Sequence, residues 1–193
     1  MARPREFDET AALQAAIACF WNRGYEATSV RDLAENMGLS APSLYNAYGD
    51  KRALFVQALE HYLDRSMRER IERLENTLRP KQAIQKFIAE IIDHSVKDRD
   101  RRGCFLINSA LEVAPHDKKL NGLIADRLAE LEAFFERAIR KAQAEGTVPR
   151  KGASKDLARL LLGVVLGVRV LARVRPERSL LESLARPALT LLD

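Results

Sequence analysis

Residues 28–54 read TSVRDLAENMGLSAPSLYNAYGDKRAL. The stretch holds two short helix patterns joined by a glycine turn, then a stop, then the start of a third helix. Ser29-Val30-Arg31-Asp32 fits a capping pattern in which a hydroxyl and a carboxylate satisfy the free amides of a first turn. Val30, Leu33, Ala34 and Met37 fall on one face at helical spacing. Gly38 can take the positive φ that ends this helix, and Leu39 can pin the turn into a core. Ser40 then caps a second helix, in which Pro42 is tolerated because the first turn does not need its N–H. That order of parts is the layout of a helix-turn-helix DNA reader.

The second helix, Ala41 to about Tyr48, has one apolar anchor, Leu44. Ala41, Pro42, Ser43, Asn46 and Ala47 leave little bulk near its N-terminal half, as a helix entering a major groove requires. Tyr45 and Tyr48 can offer hydroxyls to phosphates, Lys51 a charge, and Asn46 a bidentate partner for an adenine edge. The expected DNA-contacting set is Arg3, Arg5, Thr28, Ser29, Ser40, Ala41, Pro42, Ser43, Tyr45, Asn46, Tyr48 and Lys51. Arg3 and Arg5 precede the first helix, where they can enter a minor groove or remain a solvated tail. The plain alternative is a generic two-helix corner with both tyrosines in a core.

Residues 7–55 resemble the DNA-binding domain of the tetracycline-repressor (TetR) family. Ala16, Phe20, Gly24-Tyr25, Ala27-Thr28-Ser29-Val30, Leu33-Ala34, Gly38-Leu39-Ser40, Ser43-Leu44-Tyr45, Tyr48-Gly49-Asp50-Lys51 and Leu54-Phe55 carry the resemblance. Arg3-Pro4-Arg5-Glu6-Phe7-Asp8, and Arg102-Gly103-Cys104-Phe105 with Asn108 and Glu112, are similar to a bacterial subgroup of that family. The resemblance implies an all-α fold of about nine helices. A helix-turn-helix domain of three helices, 1–52, precedes a larger effector-binding and dimerisation domain, 53–193. It also implies a homodimer on a palindromic double-stranded DNA operator, most simply a repressor released by a small-molecule effector, with no cofactor.

Composition agrees. Hydrophobic residues make up 47% of the 193 residues, enough for a core, and only 9 Gly and 7 Pro punctuate a chain rich in helix formers. No period-2 strand run is bounded by turn signals. The polar N-terminus lacks a secretory apolar segment, and the longest apolar stretch, 160–168, is too short to span a bilayer. Two cysteines suit a reducing cytoplasm without a disulfide framework. The net charge of +5 does not argue for DNA binding, because residues 1–52 are near neutral by themselves.

The remaining helices are punctuated clearly. The first spans about Asp8 to Arg23 and ends at Gly24. The fourth starts at Asp50-Lys51 and runs to about Leu78, with Met67, Ile71, Leu74 and Leu78 buried at wider spacing and Arg68, Glu69, Arg70, Glu72 and Arg73 solvated. Pro80 opens a fifth helix, and residues 97–103 form a charged loop. Further helices follow near 104–113, from Asp117 to Gly146, from a Ser154 cap to about Arg175, and over about 179–192.

The helix after Ser154 is apolar around most of its circumference, so several sides must be covered. Gly163 and Gly167, one turn apart, permit close approach of another helix. Residues alone allow either a central core helix or a dimer interface. The TetR resemblance implies a four-helix interface from the last two helices of each subunit, formed here by Leu160, Gly163, Val164, Gly167, Leu171, Leu181, Leu184 and Ala188. Arg169 and Arg173 would then form a rim or a cross-subunit ion pair. The resemblance also implies an effector pocket, for which the candidates are Phe87, Ile91, His94, Phe105, Asn108, Leu111, Phe134, Phe135 and Val170. Plain core packing is the competing reading for the apolar ones.

Two other chemistries can be written for this chain. Cys104 follows Arg101-Arg102-Gly103 at a helix start, where positive charge stabilises a thiolate, so it could be a sensor for oxidants or electrophiles. Glu90 with His94, and Glu112 with His116, are four apart on helices and could ligate a metal in a helical-bundle enzyme. The further acidic ligands of such a site are not evident, and no nucleophile elbow, P-loop or dinucleotide fingerprint is present. The sequence therefore reads as a DNA-binding regulator and not an enzyme.

Overall fold

A computed structural model describes residues 8–150 and 152–193; the expected contacts of Arg3 and Arg5 lie outside the described residues. The order is α1 (Glu9–Arg23), α2 (Val30–Met37), α3 (Ala41–Tyr48), α4 (Lys51–Leu63), a π-helical turn (Asp64–Arg68), α5 (Glu69–Thr77), α6 (Pro80–Lys97), α7 (Phe105–Glu112), α8 (Lys118–Ala144), α9 (Ser154–Val174) and α10 (Arg178–Thr190). Counting α4, the π turn and α5 as one rod gives nine helices among the described residues, all of whose regular elements are helical. No helix among them is long and apolar enough to cross a membrane.

The local signals act as their chemistry requires. Asp8 caps α1 through Thr10 and Ala11 N–H. Ser29 and Asp32 form a reciprocal capping box on α2, and Gly38 closes it at φ 66°. Ser40 caps α3 through Ser43 N–H, and Asp50 caps α4 through Ala53 N–H. Ser154, expected as a cap, is instead the first helical residue of α9; Ala153 holds the cap position without a side-chain bond.

Two cores result. Leu13, Phe20, Leu33, Leu44, Leu54, Phe55 and Leu59 of α1–α4 join Phe105, Leu106 and Val113 around α7 and Leu120 and Ile124 at the start of α8. The second core gathers Ile84, Phe87, Phe134, Phe135, Leu161, Val165 and Leu181 from α6, α8, α9 and α10. The rod of α4, π turn and α5 runs from one core to the other. Its buried residues Leu63, Met67 and Ile71 step by four, which overruns a period of 3.6; the π turn absorbs that excess.

Three polar latches tie the elements around the headpiece together, one between α4 and α8 and two between the α1–α3 headpiece and the body. Arg52 in the first turn of α4 makes a two-pronged pair with Asp117, one arm at 2.8 Å, while Asp117 also caps α8. The Arg52 guanidinium holds the Asp117 carboxyl well below the usual carboxylate range. Glu112 of α7 accepts the Glu26 N–H at 3.0 Å. Trp21 of α1 meets Arg102 of the 98–104 loop.

Candidate nucleic-acid interface and effector cleft

Leu44 is fully buried and fixes α3 to the headpiece by one side. Ser40, Ala41, Pro42, Ser43, Tyr45 and Asn46 consequently face solvent together. Tyr45 is 50% exposed, and Ser40 Oγ and Ser43 Oγ lie 2.8 Å apart at the N-terminal end. Ser29 is exposed at the start of α2. Lys51 sits 4.3 Å over the Tyr25 ring at the start of α4.

Two residues of the expected contact set do not reach this surface. Tyr48 is 3% exposed and packs into the headpiece core, because it follows Leu44 by one helical turn and shares its face. Thr28 is fully buried, and its hydroxyl donates to the Gly24 carbonyl at 2.6 Å, closing the turn between α1 and α2.

A cleft of about 760 Å³ opens between the headpiece and the body. Gln14, Ile17 and Trp21 of α1 form one wall; His61, Tyr62, Arg65, Ser66 and Arg70 of the rod, His94 and Lys97 of α6, residues 98–100, 102 and 103, and Arg169 of α9 form the rest. Tyr62, Ser66, Arg70 and Arg169 also border a small apolar void of about 40 Å³, floored by Met67, Phe87, Ile91 and Leu131. The charged cleft and the apolar void thus share Tyr62, Ser66, Arg70 and Arg169 as a common wall. Burial, reinforced by the charges of Arg169 and Arg70, holds the His94 imidazole below its ordinary value.

Of the expected pocket residues, His94 lines the cleft, and Phe87 and Ile91 line the adjoining small void. Phe134 and Phe135 are fully buried and pack on Phe87 at ring distances of 5.3 and 5.6 Å, as core. Phe105, Asn108 and Leu111 border a separate cleft on the far side of Trp21. There Asn108 is satisfied, donating to the Arg102 carbonyl at 2.8 Å and accepting from Arg173 at 3.2 Å. Leu111 and Val170 are exposed on outer helix faces.

The sequence reading missed Arg70 and Arg169. Arg70 was expected in solvent, yet its side chain is 13% exposed and bonded to Glu90 at 3.1 Å. Arg169 was expected at a dimer rim; it is 7% exposed, turned inward toward Ser95. Both stand at helical spacing with buried apolar neighbours, Arg70 with Met67 and Leu74, Arg169 with Val165 and Ala172. A charge inside a buried stripe was the signal available. Arg173 likewise turns to Asn108 and the 98–104 loop.

The last two helices divide in the same way. Leu160, Gly163, Val170 and Val174 of α9 and Leu184 of α10 are exposed, with Val164, Gly167 and Leu171 partly so. A Cβ on Gly163 would meet open space, and one on Gly167 would lie 3.5 Å from Leu184. Leu181 and Ala188, expected at a dimer contact, are buried within the subunit's own core.

Cys104 is half-buried at the N-cap of α7, and the Tyr62 hydroxyl donates to its Sγ at 3.8 Å. Glu90 is taken by Arg70 and Arg73, and Glu112 by Glu26 N–H. Among the described residues no three or more His, Cys, Asp or Glu gather as a metal site.

Comparison with known proteins gives a consistent result over the whole chain. Residues 12–58 match the profile of bacterial regulatory proteins of the tetR family, and 80–187 that of the tetracyclin repressor-like C-terminal domain. The chain is 34% identical over 197 aligned positions, spanning all of both chains, to the uncharacterized HTH-type transcriptional regulator YezE of Bacillus subtilis (strain 168). It is 32% identical to the HTH-type transcriptional repressor ComR of Escherichia coli (strain K12), over 98% of this chain and 90% of that protein. Among solved structures, a cysteine mutant of the TetR family transcriptional regulator CifR, complexed with 26-bp double-strand operator DNA, matches with a TM-score of 0.87 at 31% identity, covering 99% of this chain and 100% of that one.

Proposed function

This chain belongs to the TetR family of bacterial regulatory proteins, and from that premise we propose that it works in the cytoplasm as an effector-responsive repressor, a homodimer on a palindromic operator, acting by binding and not by catalysis. The observation that carries the reading is the solvent-facing, low-bulk N-terminal half of α3, with Ser43 and Asn46 on its open face beside Tyr45. Base edges demand that closeness of approach. A single reader of this size contacts too few base pairs for specificity, and a twofold pair supplies the second half-site. The exposed apolar stripe on α9 and α10, with its open glycine, suits that pairing.

Effector control follows from the cleft. A ligand in it touches α1 of the headpiece and α6, α9 and the rod of the body at once. It therefore favours one headpiece orientation over another, and the coupling equals its difference in affinity for the two. Fluorescence anisotropy on a cognate and a scrambled duplex tests the reader. Asn46→Ala is expected to erode the preference for the cognate duplex, and Tyr45→Phe to weaken both alike. Equal losses on both duplexes for Asn46→Ala would overturn the assignment of α3.

A further inference from the structure

Arg169 is the anomaly of this fold. It lies on a helix whose inward neighbours are Leu161, Val165, Val168 and Ala172, and it is itself 7% exposed. Among the described residues it has no ion-pair partner; its one hydrogen bond goes to the neutral Ser95 Oγ at 3.4 Å. Arg70, beside it on the rod, shares Glu90, its only carboxylate partner among the described residues, with Arg73. Burial and the Arg169 charge together hold the Arg70 guanidinium below its ordinary value. Two mutually repelling cations thus face one half-shared anion in a poorly hydrated place, an arrangement that costs stability unless another negative charge joins it.

The surroundings describe that missing charge. Among the described residues six arginines and lysines but only two acidic side chains border the cleft, and one of the acids, Asp98, is occupied by Arg102 at 3.1 Å. The guanidinium fork matches the two oxygens of a carboxylate or phosphoryl group. Arg169 and Arg70 also border the small apolar void lined by Phe87, Ile91 and Leu131. His61, on the same cleft, has its Nε2 buried with no hydrogen-bond partner among the described residues, a site for a polar substituent. The rod turns from α to π between Asp64 and Arg68, placing Arg65 and Ser66 on this wall, and such π turns recur at functional sites.

We propose that the effector is a small organic anion that enters the cleft, its carboxylate or phosphoryl head pairing with Arg169 and Arg70 beside the apolar void of Phe87 and Ile91. This rests on the effector-responsive reading and adds the ligand's chemical class and its anchor. Such a ligand completes the charge set of the body and touches Trp21 of the headpiece, so its presence is felt on the DNA-binding side.

The test uses the full chain, whose single tryptophan, Trp21, lines the cleft. Benzoate, hexanoate and phenyl phosphate are titrated at constant ionic strength against benzamide and hexanamide, following Trp21 fluorescence, the thermal midpoint and release of operator DNA. At least one anion should bind saturably, and its amide about tenfold more weakly or worse. Arg169→Met should lose that discrimination without a fall in thermal midpoint, and Arg169→Lys should retain part of it. Carboxylate against phosphoryl preference identifies the head group. The proposal is overturned if none of the three anions binds saturably, if the amides match them, or if folded Arg169→Met binds them like the wild type. Release of DNA by the amides alone would leave an effector-responsive regulator and sink the anionic class. Anion binding that depends on Arg169 but never changes DNA affinity would keep the anion site and overturn the effector reading.

Discussion

Trp21 donates its indole N–H to the carbonyl of Arg102 at 3.1 Å, and the guanidinium of Arg102 lies 4.5 Å over the same ring. One residue belongs to α1 of the headpiece, the other to the loop that borders the cleft. The loop is held in turn by Asp98, which accepts from both the Arg102 N–H and its guanidinium. A displacement of the loop therefore reaches α1 through a single side chain. Trp21→Phe keeps a ring under Arg102 and removes the N–H. It should cost about 1 kcal/mol of stability by denaturant titration followed by circular dichroism. It should also reduce the effector's influence on DNA affinity more than DNA affinity itself. Full effector response in Trp21→Phe would remove this latch from the account.

Tyr45 and Tyr48 are three residues apart on α3 but differ in burial, Tyr45 being 50% exposed and Tyr48 3%. Tyr45→Phe should weaken binding to every duplex, because its exposed hydroxyl is placed for phosphate. Tyr48→Phe should leave DNA affinity near the wild-type value, since that side chain is in the headpiece core. Anisotropy titrations of both variants on one duplex check the contrast.

Gly103 has φ 75°, and a Cβ there would lie 2.8 Å from the Arg173 side chain. Gly103→Ala combines left-handed strain with that collision, and should cost about 1–2 kcal/mol in chemical denaturation. Gly38→Ala, at φ 66° with nothing within 4 Å of the added carbon, should show the conformational part alone, about 1 kcal/mol. Equal costs at the two sites would argue that the Arg173 contact is slack.

Leu184 projects from α10 beside Gly167 of α9 and is exposed in the subunit. Leu184→Glu should leave the subunit folded and convert the dimer to monomer in sedimentation velocity, with loss of operator binding. Leu181→Glu should instead unfold the subunit, because Leu181 is fully buried. A dimer that survives Leu184→Glu would place the interface elsewhere.

Hydrogen bonds from Ser29, together with the Arg23 charge, hold the Asp32 carboxyl down at about 2. An unfolded aspartate titrates near ~4. Since the folded value is the lower one, the capping box stabilises the headpiece fully above about pH 4 and loses that contribution as pH falls through about 2. Thermal midpoints of Asp32→Asn and wild type should differ most above pH ~4 and converge in acid; a constant difference across that window would contradict the assignment.

The headpiece was legible because its determinants are local. Ser29, Gly38, Ser40 and Pro42 act within one turn of themselves, and caps and left-handed glycines follow rules that need no tertiary partner. The cleft was not legible, since its residues come from α1, the rod, α6 and α9, and its key cations break the rule that charge is solvated. Reading Arg70 with its charged neighbours on α5 hid the apolar phase it shares with Met67 and Leu74. The last helix offered apolar residues on two sides, 180–181, 184–185 and 188–189, and periodicity alone could not say which side faces the subunit's own core. Tyr48 was misplaced for a similar reason, because a tyrosine suits both a phosphate and a core.

The central claim is that two copies of α3 read one palindrome. Selection of bound sequences from a random duplex pool at physiological salt tests it most directly. The account predicts a palindromic motif with half-sites about one helical turn apart, lost when Asn46 and Ser43 are replaced together. Recovery of a single asymmetric half-site, or of no motif with binding that vanishes in salt, would contradict it.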